Sequence, residues 1–150
     1  MSKQEEAMMI ALEEARLALE EGEIPVGAVI YHGDELIART HNHREGHLDI
    51  SSHAEIEAMR IAAKKLGRWS LEGCSLYVTL EPCLMCAGAI LQARLDSLCF
   101  GALDEERGAI LSKYHVFDDQ MNVKVPLVSH GALAEESANI LNAFFEKKRK

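Results

Sequence analysis

The sequence has no apolar stretch long enough to cross a membrane. Its longest apolar run, residues 83–91, is less than half of the about 20 residues that a spanning helix requires. The N-terminus carries Glu5 and Glu6 ahead of a short apolar stretch, which does not match the layout of a secretory signal peptide. We therefore expect a cytoplasmic protein that does not associate with membranes.

The sequence also has no internal repeat, no low-complexity segment and no obvious linker among its 150 residues. A chain of this length has the usual size of one domain and can bury roughly 68–70% of its unfolded surface. Hydrophobic residues make up 48% of the chain and charged residues 27%, which is typical of a globular protein. We therefore predict one domain that spans residues 1–150.

Net positive charge, the usual mark of a nucleic-acid-binding protein, is missing as well. There are 16 basic and 24 acidic residues, which give a formal net charge of −8. Basic residues are nevertheless concentrated in the C-terminal tail, residues 147–150, where they could contact phosphate groups. The alternative is a solvated helix end, because cations there face the negative end of the helix dipole.

The hydrophobic periodicity predicts an α/β protein. A helix is expected over residues 3–21, followed by a hairpin of strands at 26–31 and 36–40 and then by a polar, histidine-rich loop at 41–52. Further helices are expected after Ser51 or Ser52, from Pro82, and at the C-terminus. The remaining strands are predicted at 76–80, 96–102 and 123–129, the last at a sheet edge because it contains Pro126. This order predicts a three-layer α/β/α sandwich with a mixed, roughly five-stranded sheet.

The four cysteines do not suggest disulfides in a chain of this size that lacks a secretion signal. Cys74 and Cys99 each stand alone beside strand-like apolar residues and are predicted to be small buried hydrophobic residues. Cys83 and Cys86 form the only Cys-x-x-Cys motif. Their spacing places them on one face of a helix, at a helix start where the dipole favours thiolates, and zinc is the metal that best suits such a pair.

A second helix start carries the sequence His53-Ala54-Glu55. A structural zinc site needs four protein ligands, but the chain has no second Cys-x-x-Cys. His53 would supply a third ligand, and three ligands with an open position define a catalytic zinc. Glu55 would then act as a proton carrier rather than as a ligand. Taken singly, these residues have ordinary interpretations: a redox pair, a helix cap, and a favourable charge in a first helical turn.

The combination of His-x-Glu with Pro-Cys-x-x-Cys is the signature of the zinc-dependent nucleobase deaminases. The chain resembles the bacterial tRNA-specific adenosine deaminases of the cytidine deaminase-like superfamily over nearly its whole length. The matching segments are residues 25–29, Asn42, 53–56, 76–83, 85–89, 100–102 and 144–145.

This resemblance implies one Zn²⁺ per chain held by His53, Cys83 and Cys86, with Glu55 as the catalytic proton carrier. It also implies a substrate-binding role for Asn42 and Ala54, a cytidine deaminase-like fold, and a homodimer that pairs through the apolar helix after Pro82. The substrate that it implies is the anticodon loop of tRNA, where adenosine at the wobble position becomes inosine. For Asn42 a second interpretation is open, because asparagine often holds a turn.

Some positions depart from the family pattern and favour a different substrate. The sequence Ile50-Ser51-Ser52 replaces the usual Pro-Thr-Ala, Glu106 stands near a lysine position, and residues 109–112 replace a run of small residues. An acidic side chain near phosphate is unfavourable. The alternative is a deaminase of a small free base or nucleoside, such as guanine or cytosine. A third class, a non-catalytic RNA-binding or partner subunit that binds zinc, would not need Glu55 beside the metal.

Overall fold

The computed structural model describes residues 1–118 and 123–149. Their helices and strands follow the order α1 (Lys3–Glu20), β1 (Gly27–His32), β2 (Glu35–His41), α2 (Arg44–His47), α3 (Ala54–Leu66), β3 (Cys74–Leu80), α4 (Leu84–Ala93), β4 (Ser97–Ala102), β5 (Leu127–His130) and α5 (Ala134–Arg149). None of these described helices is both long and apolar enough to span a bilayer.

The five strands form one mixed sheet in the order β2-β1-β3-β4-β5. Strand β1 is antiparallel to both β2 and β3, whereas β3, β4 and β5 run parallel. The end of β2 lies beside the start of β1, since Gly27 pairs with His41, and β3 and β4 end together, since Leu80 pairs with Ala102. This end of the sheet therefore collects the segments that follow β2, β3 and β4.

Helices cover both faces of the sheet, as the predicted α/β/α sandwich requires. One face packs on α3 and α4 through a core that includes Ala58, Ile90, Leu76 and Phe100. The opposite face packs on α1 through a smaller cluster of Ala7, Met8, Ala11, Val29, Tyr77 and Cys99. The fold class predicted from the sequence is confirmed, and the two lone cysteines, Cys74 and Cys99, are buried as expected.

Helix α1 contacts strand β1 so closely that only glycine fits at the first position of the strand. A methyl group at Gly27 would overlap the backbone carbonyl oxygen of Ala11 and approach the backbone nitrogen of Ala15. The apolar face of α1 agrees with the prediction, since Met8, Ala11 and Ala18 are all buried. Close contact between this helix and the strand is what brings the C-terminal end of α1 to the end of β2.

The predicted loop at residues 41–52 was wrong in detail, because His41 ends β2 and residues 44–47 form the short helix α2. The buried carboxylate of Glu23 stabilises this turn, since it accepts hydrogen bonds from the backbone N–H groups of Glu45 and Gly46 at 3.0 and 2.7 Å. Side-chain contacts of this kind connect residues that are far apart in sequence, and local periodicity does not predict them.

Three predicted boundaries also differ from the structure. Helix α3 is capped by His53 rather than by Ser51 or Ser52, and α4 begins at Leu84 with Cys83 as its N-cap. The last strand begins at Leu127, after Pro126, because proline has no N–H to donate to the sheet. Part of the predicted strand at 123–129 therefore forms no strand, but β5 does lie at the sheet edge as predicted.

Candidate active site

The predicted metal ligands meet where two helices begin. His53 and Cys83 are the N-caps of α3 and α4, and both have extended backbone conformations. Cys86 lies in the first turn of α4 and is buried. Because two helix N-termini meet here, their dipoles favour negative charge on the thiols.

The three donor atoms are close enough to hold one metal ion. His53 Nδ1 lies 3.7 Å from Cys83 Sγ and 3.5 Å from Cys86 Sγ. In a tetrahedral zinc site with ordinary bond lengths, a nitrogen and a sulfur ligand are about 3.6 Å apart. These two distances fit a zinc ion, and the three side chains could hold one.

The pKa values of these three groups differ from their ordinary values. A hydrogen bond from the Cys86 thiol lowers the pKa of Cys83 to about 4. The pKa of Cys86 is raised, because that hydrogen bond and burial both favour its protonated form. The hydrogen bond with Cys83 raises the pKa of His53. One thiolate is thus formed readily, and a cation that replaced the shared proton would stabilise the second.

Glu55 is in the first turn of α3, beside these ligands. Its side chain is within hydrogen-bonding reach of the Cys86 thiol, and only 4% of the residue is exposed. Burial raises the pKa of Glu55 to about 7. A carboxyl group with this pKa can both accept and donate a proton near neutral pH, which is the requirement for a general acid–base group.

His53, Cys83 and Glu55 line a cleft of about 590 Å³ that also contains both predicted substrate-binding residues, Asn42 and Ala54. The Asn42 side chain makes the turn contact that was its alternative interpretation, since its Oδ1 accepts from the backbone N–H of Arg44 at 3.1 Å. Its Nδ2 donates to the Ile24 carbonyl at 3.4 Å, a long contact. The amide of Asn42 therefore keeps hydrogen-bonding capacity that can face the cleft.

Glu81 was not predicted to be a functional residue, although it lies in the matching segment 76–83, yet it organises one wall of the cleft. It directly follows β3 and is 2% exposed. Its Oε2 accepts from three consecutive backbone N–H groups, and its Oε1 accepts from a fourth and from the Ser112 hydroxyl; the four amides belong to Asp104, Ile110, Leu111 and Ser112. The one sequence signal for this role is a carboxylate immediately after a buried strand.

The segment 104–112 is shaped around the Glu81 carboxylate. A methyl group at Gly108 would overlap that carboxylate, so the chain can pass it only with glycine at this position. Ala109 and Ile110 are buried, which gives a packing role to the residues that replace the family's run of small side chains.

The rim of the cleft carries charges of both signs. Glu106, which stands near a lysine position of the family pattern, lies on this rim. Its neighbours Asp104 and Glu105 make this part of the rim acidic. Arg44 and Arg107, which the sequence did not single out, supply positive charge to the same cleft. Helix α5 adds Phe145, an aromatic side chain that is 46% exposed.

Comparison with known proteins identifies the family of the chain. A family model described as MafB19-like deaminase matches residues 1–149. The tRNA-specific adenosine deaminase of Haemophilus influenzae is 46% identical over 146 residues, covering 97% of this chain and 84% of the relative. The tRNA-specific adenosine deaminase of Bacillus subtilis is 43% identical over 151 residues, covering 100% of this chain and 93% of the relative.

A solved structure gives the same result. It comes from biochemical and structural studies of A-to-I editing by tRNA:A34 deaminases at the wobble position of transfer RNA. The two folds superimpose with a TM-score of 0.87 at 43% identity, covering 90% of this chain and 98% of the other.

The fold and these matches define the class: the chain is an enzyme, a hydrolytic deaminase with a cytidine deaminase-like fold. It belongs to the MafB19-like deaminase family, and it is similar to bacterial tRNA-specific adenosine deaminases over nearly its whole length. The resemblance that the sequence motifs indicated is confirmed.

Proposed function

We propose that residues 1–150 form a single zinc-dependent deaminase domain that converts adenosine to inosine at the wobble position of tRNA. The observation that carries the proposal is the convergence of His53, Cys83 and Cys86 beside a buried Glu55, next to a cleft that His53, Cys83 and Glu55 line. The names of the most similar relatives support adenosine in tRNA as the substrate.

His53, Cys83 and Cys86 would hold the zinc ion. When bound with three protein ligands, zinc lowers the pKa of a water molecule in its open position to about 7 and so supplies a nucleophile at neutral pH. To test the assignment, metal content is measured in purified protein and in a Cys83→Ala, Cys86→Ala double variant. We expect this centre to retain about one tightly bound zinc per chain in the parent. Undiminished zinc in the double variant would rule out these residues as the ligands.

Glu55 would move the protons of the reaction. Its carboxylate takes a proton from the attacking water and delivers protons to the ring nitrogen beside the attacked carbon and to the departing amine, so that water is consumed and ammonia is released. The pKa of about 7 suits both directions of transfer. Because Glu55 is buried, bulk water does not compete for these protons.

Asn42 and Ala54 would contact the target base from the wall of the cleft. Asn42 already uses one oxygen lone pair for the backbone of Arg44, so the remaining amide capacity is available to a base. The turn contact orients this side chain and limits the conformational freedom that it would lose on binding.

The RNA backbone and neighbouring bases would bind at the cleft rim and along α5. Arg44 and Arg107 line the cleft, and Phe145 offers an exposed ring on which a base can stack. Lys147 and Lys148 are exposed on the same helix and would add positive charge close to Phe145 in sequence. The residues at the end of the predicted basic tail lie partly outside the described part of the chain.

A second candidate is a deaminase of a free base or nucleoside. The observation that favours it is the acidic rim formed by Asp104, Glu105 and Glu106, which would repel phosphate groups. Ammonia release is measured with a tRNA anticodon stem-loop, adenosine, guanine and cytosine. Activity on the stem-loop alone supports the tRNA proposal. Preference for a free base or nucleoside would contradict it and favour the second candidate.

We also propose that the protein is a homodimer that pairs through α4. Cys86 and Ile90 are buried in the chain's own core, whereas Leu84 on the same helix is 50% exposed. Light scattering at micromolar concentration tests the pairing, and a monomer there would contradict it.

A cytoplasmic location remains a prediction from the sequence.

A further inference from the structure

A second group of metal-ligating side chains lies outside the catalytic triplet of ligands. It consists of Glu21, which caps the C-terminal end of α1, and of His41 and His43 at the end of β2. One ligand atom from each of these side chains lies within 4.8 Å of the other two. The deaminase mechanism does not use this group.

The Nε2 atoms of both histidines lie close to one carboxylate oxygen. Glu21 Oε1 lies 3.0 Å from His41 Nε2 and 3.8 Å from His43 Nε2. A tetrahedral ion with ordinary bonds to nitrogen and oxygen holds two such ligands about 3.3 Å apart, between these two distances. The planes of the two imidazole rings are inclined by 37° rather than parallel, so one ion can lie in both ring planes.

The other nitrogen of each histidine is held by a carboxylate. His41 Nδ1 lies 2.8 Å from Glu14 Oε1, and His43 Nδ1 lies 3.2 Å from Glu57 Oε2. Both carboxylates are largely buried, with side chains 10% and 14% exposed. Histidines that bind metals almost always donate their second N–H to such a partner, which fixes the tautomer and ring orientation. Both histidines of the group have this support.

The electrostatics of the group also call for a cation. With both ring nitrogens against carboxylates, His41 must carry two protons unless a cation takes the place of the one between Nε2 and Glu21. A divalent ion would replace that proton and neutralise the surrounding carboxylates more fully.

We infer that Glu21, His41 and His43 form a second binding site for a divalent transition-metal ion such as zinc. Two imidazole nitrogens and one carboxylate are a ligand set that zinc accepts, with its fourth position open. Glu21 is half-exposed, so an ion can enter from solvent. The ion would tie the end of α1 to the strand that leads into Asn42, at the edge of the substrate cleft.

A neighbouring trio, His43, His47 and Glu57, is less suited to chelation. Its two imidazole rings are stacked, with planes inclined by only 8° and centroids 4.6 Å apart. Because an imidazole lone pair lies in the ring plane, one ion cannot lie on both lone pairs in this arrangement. His47 serves as a matched control for His43, because the Nδ1 atoms of both rings lie close to a Glu57 carboxylate oxygen, at 3.0 and 3.2 Å respectively.

The test is a calorimetric titration with zinc ions. The purified protein is first dialysed against a weak chelator, so that zinc remains in the catalytic centre and loosely held metal is removed. We expect the parent to bind about one further zinc per chain and to release a proton on binding. Glu21→Gln and His43→Gln should abolish this binding, whereas Glu20→Gln, which alters an exposed acid one residue away, and His47→Gln should retain it.

Circular dichroism and the retained catalytic zinc verify that each variant is folded. Glu21 is half-exposed, so its substitution tests the site even if His43→Gln fails to fold. No further zinc bound by the parent would overturn the inference. Binding that survives Glu21→Gln, or that is lost equally in His47→Gln, would also overturn it.

Discussion

Substitution of Glu81 by glutamine should destabilise the wall of the active-site cleft without changing the volume of the side chain. In the native protein two carboxylate oxygens accept four backbone N–H groups and one hydroxyl, all from residues 104–112. Glutamine retains one oxygen, which can still accept the three amides of Ile110, Leu111 and Ser112. Its NH₂ group takes the place of Oε1, opposite the N–H of Asp104.

The cost follows from these contacts. The Ser112 hydroxyl can rotate to accept from the new NH₂ group, but the Asp104 N–H cannot, and a buried donor without a partner costs about 1–3 kcal/mol. The three remaining hydrogen bonds also lose the charge of their acceptor, which roughly halves their strength. Part of this loss is offset, because a neutral amide costs less to bury than a carboxylate, and we therefore expect Glu81→Gln to lower the free energy of unfolding by about 2–4 kcal/mol.

Urea denaturation measures this loss as a lower midpoint with an unchanged slope. Limited proteolysis should also cleave the segment 104–112 faster in the variant, because its local anchoring is weaker. Glu105→Gln is the matched control, since Glu105 is an exposed carboxylate in the same segment. A midpoint for Glu81→Gln equal to that of Glu105→Gln would refute the role of Glu81 as the anchor of this wall.

Three further predictions concern acid stability, catalysis and RNA binding. Burial alone raises the pKa of Glu81, but the hydrogen bonds from Ser112, Leu111 and Asp104 outweigh it and lower the pKa below 4.5. Its stabilisation is therefore present above the unfolded pKa and lost as pH falls through the folded pKa. Urea midpoints measured across this range should fall more steeply in the parent than in Glu81→Gln; parallel curves would contradict the assignment. Glu55→Ala should retain zinc and fold but lose at least ~10²-fold in ammonia release, and loss of zinc along with activity would make Glu55 a ligand or structural residue. Lys147→Ala with Lys148→Ala should weaken binding of an RNA stem-loop and flatten its salt dependence, and an unchanged salt slope would favour the free-base alternative.

Several features of the protein were predictable because they depend on local sequence. The apolar spacing in α1 predicted its buried face, since Met8, Ala11 and Ala18 recur at the period of a helix. The metal-ligand types were also readable, because Cys83 and Cys86 share a helix start and His53 precedes Glu55 at another. The edge position of the last strand was predictable as well, because Pro126 lacks the N–H that a strand inside the sheet must donate.

Only the tertiary structure decided which buried carboxylates meet which partners. Glu81 binds amides 23 to 31 residues further along the chain, and Glu23 stabilises α2 from 22 and 23 residues away. Likewise, Glu14 and Glu57 reach His41 and His43 from two different helices. A carboxylate has the same local pattern whether it faces solvent or a buried donor. Its role is set by the packing of distant segments, because burial makes an unpartnered polar group costly and a partnered one structurally decisive.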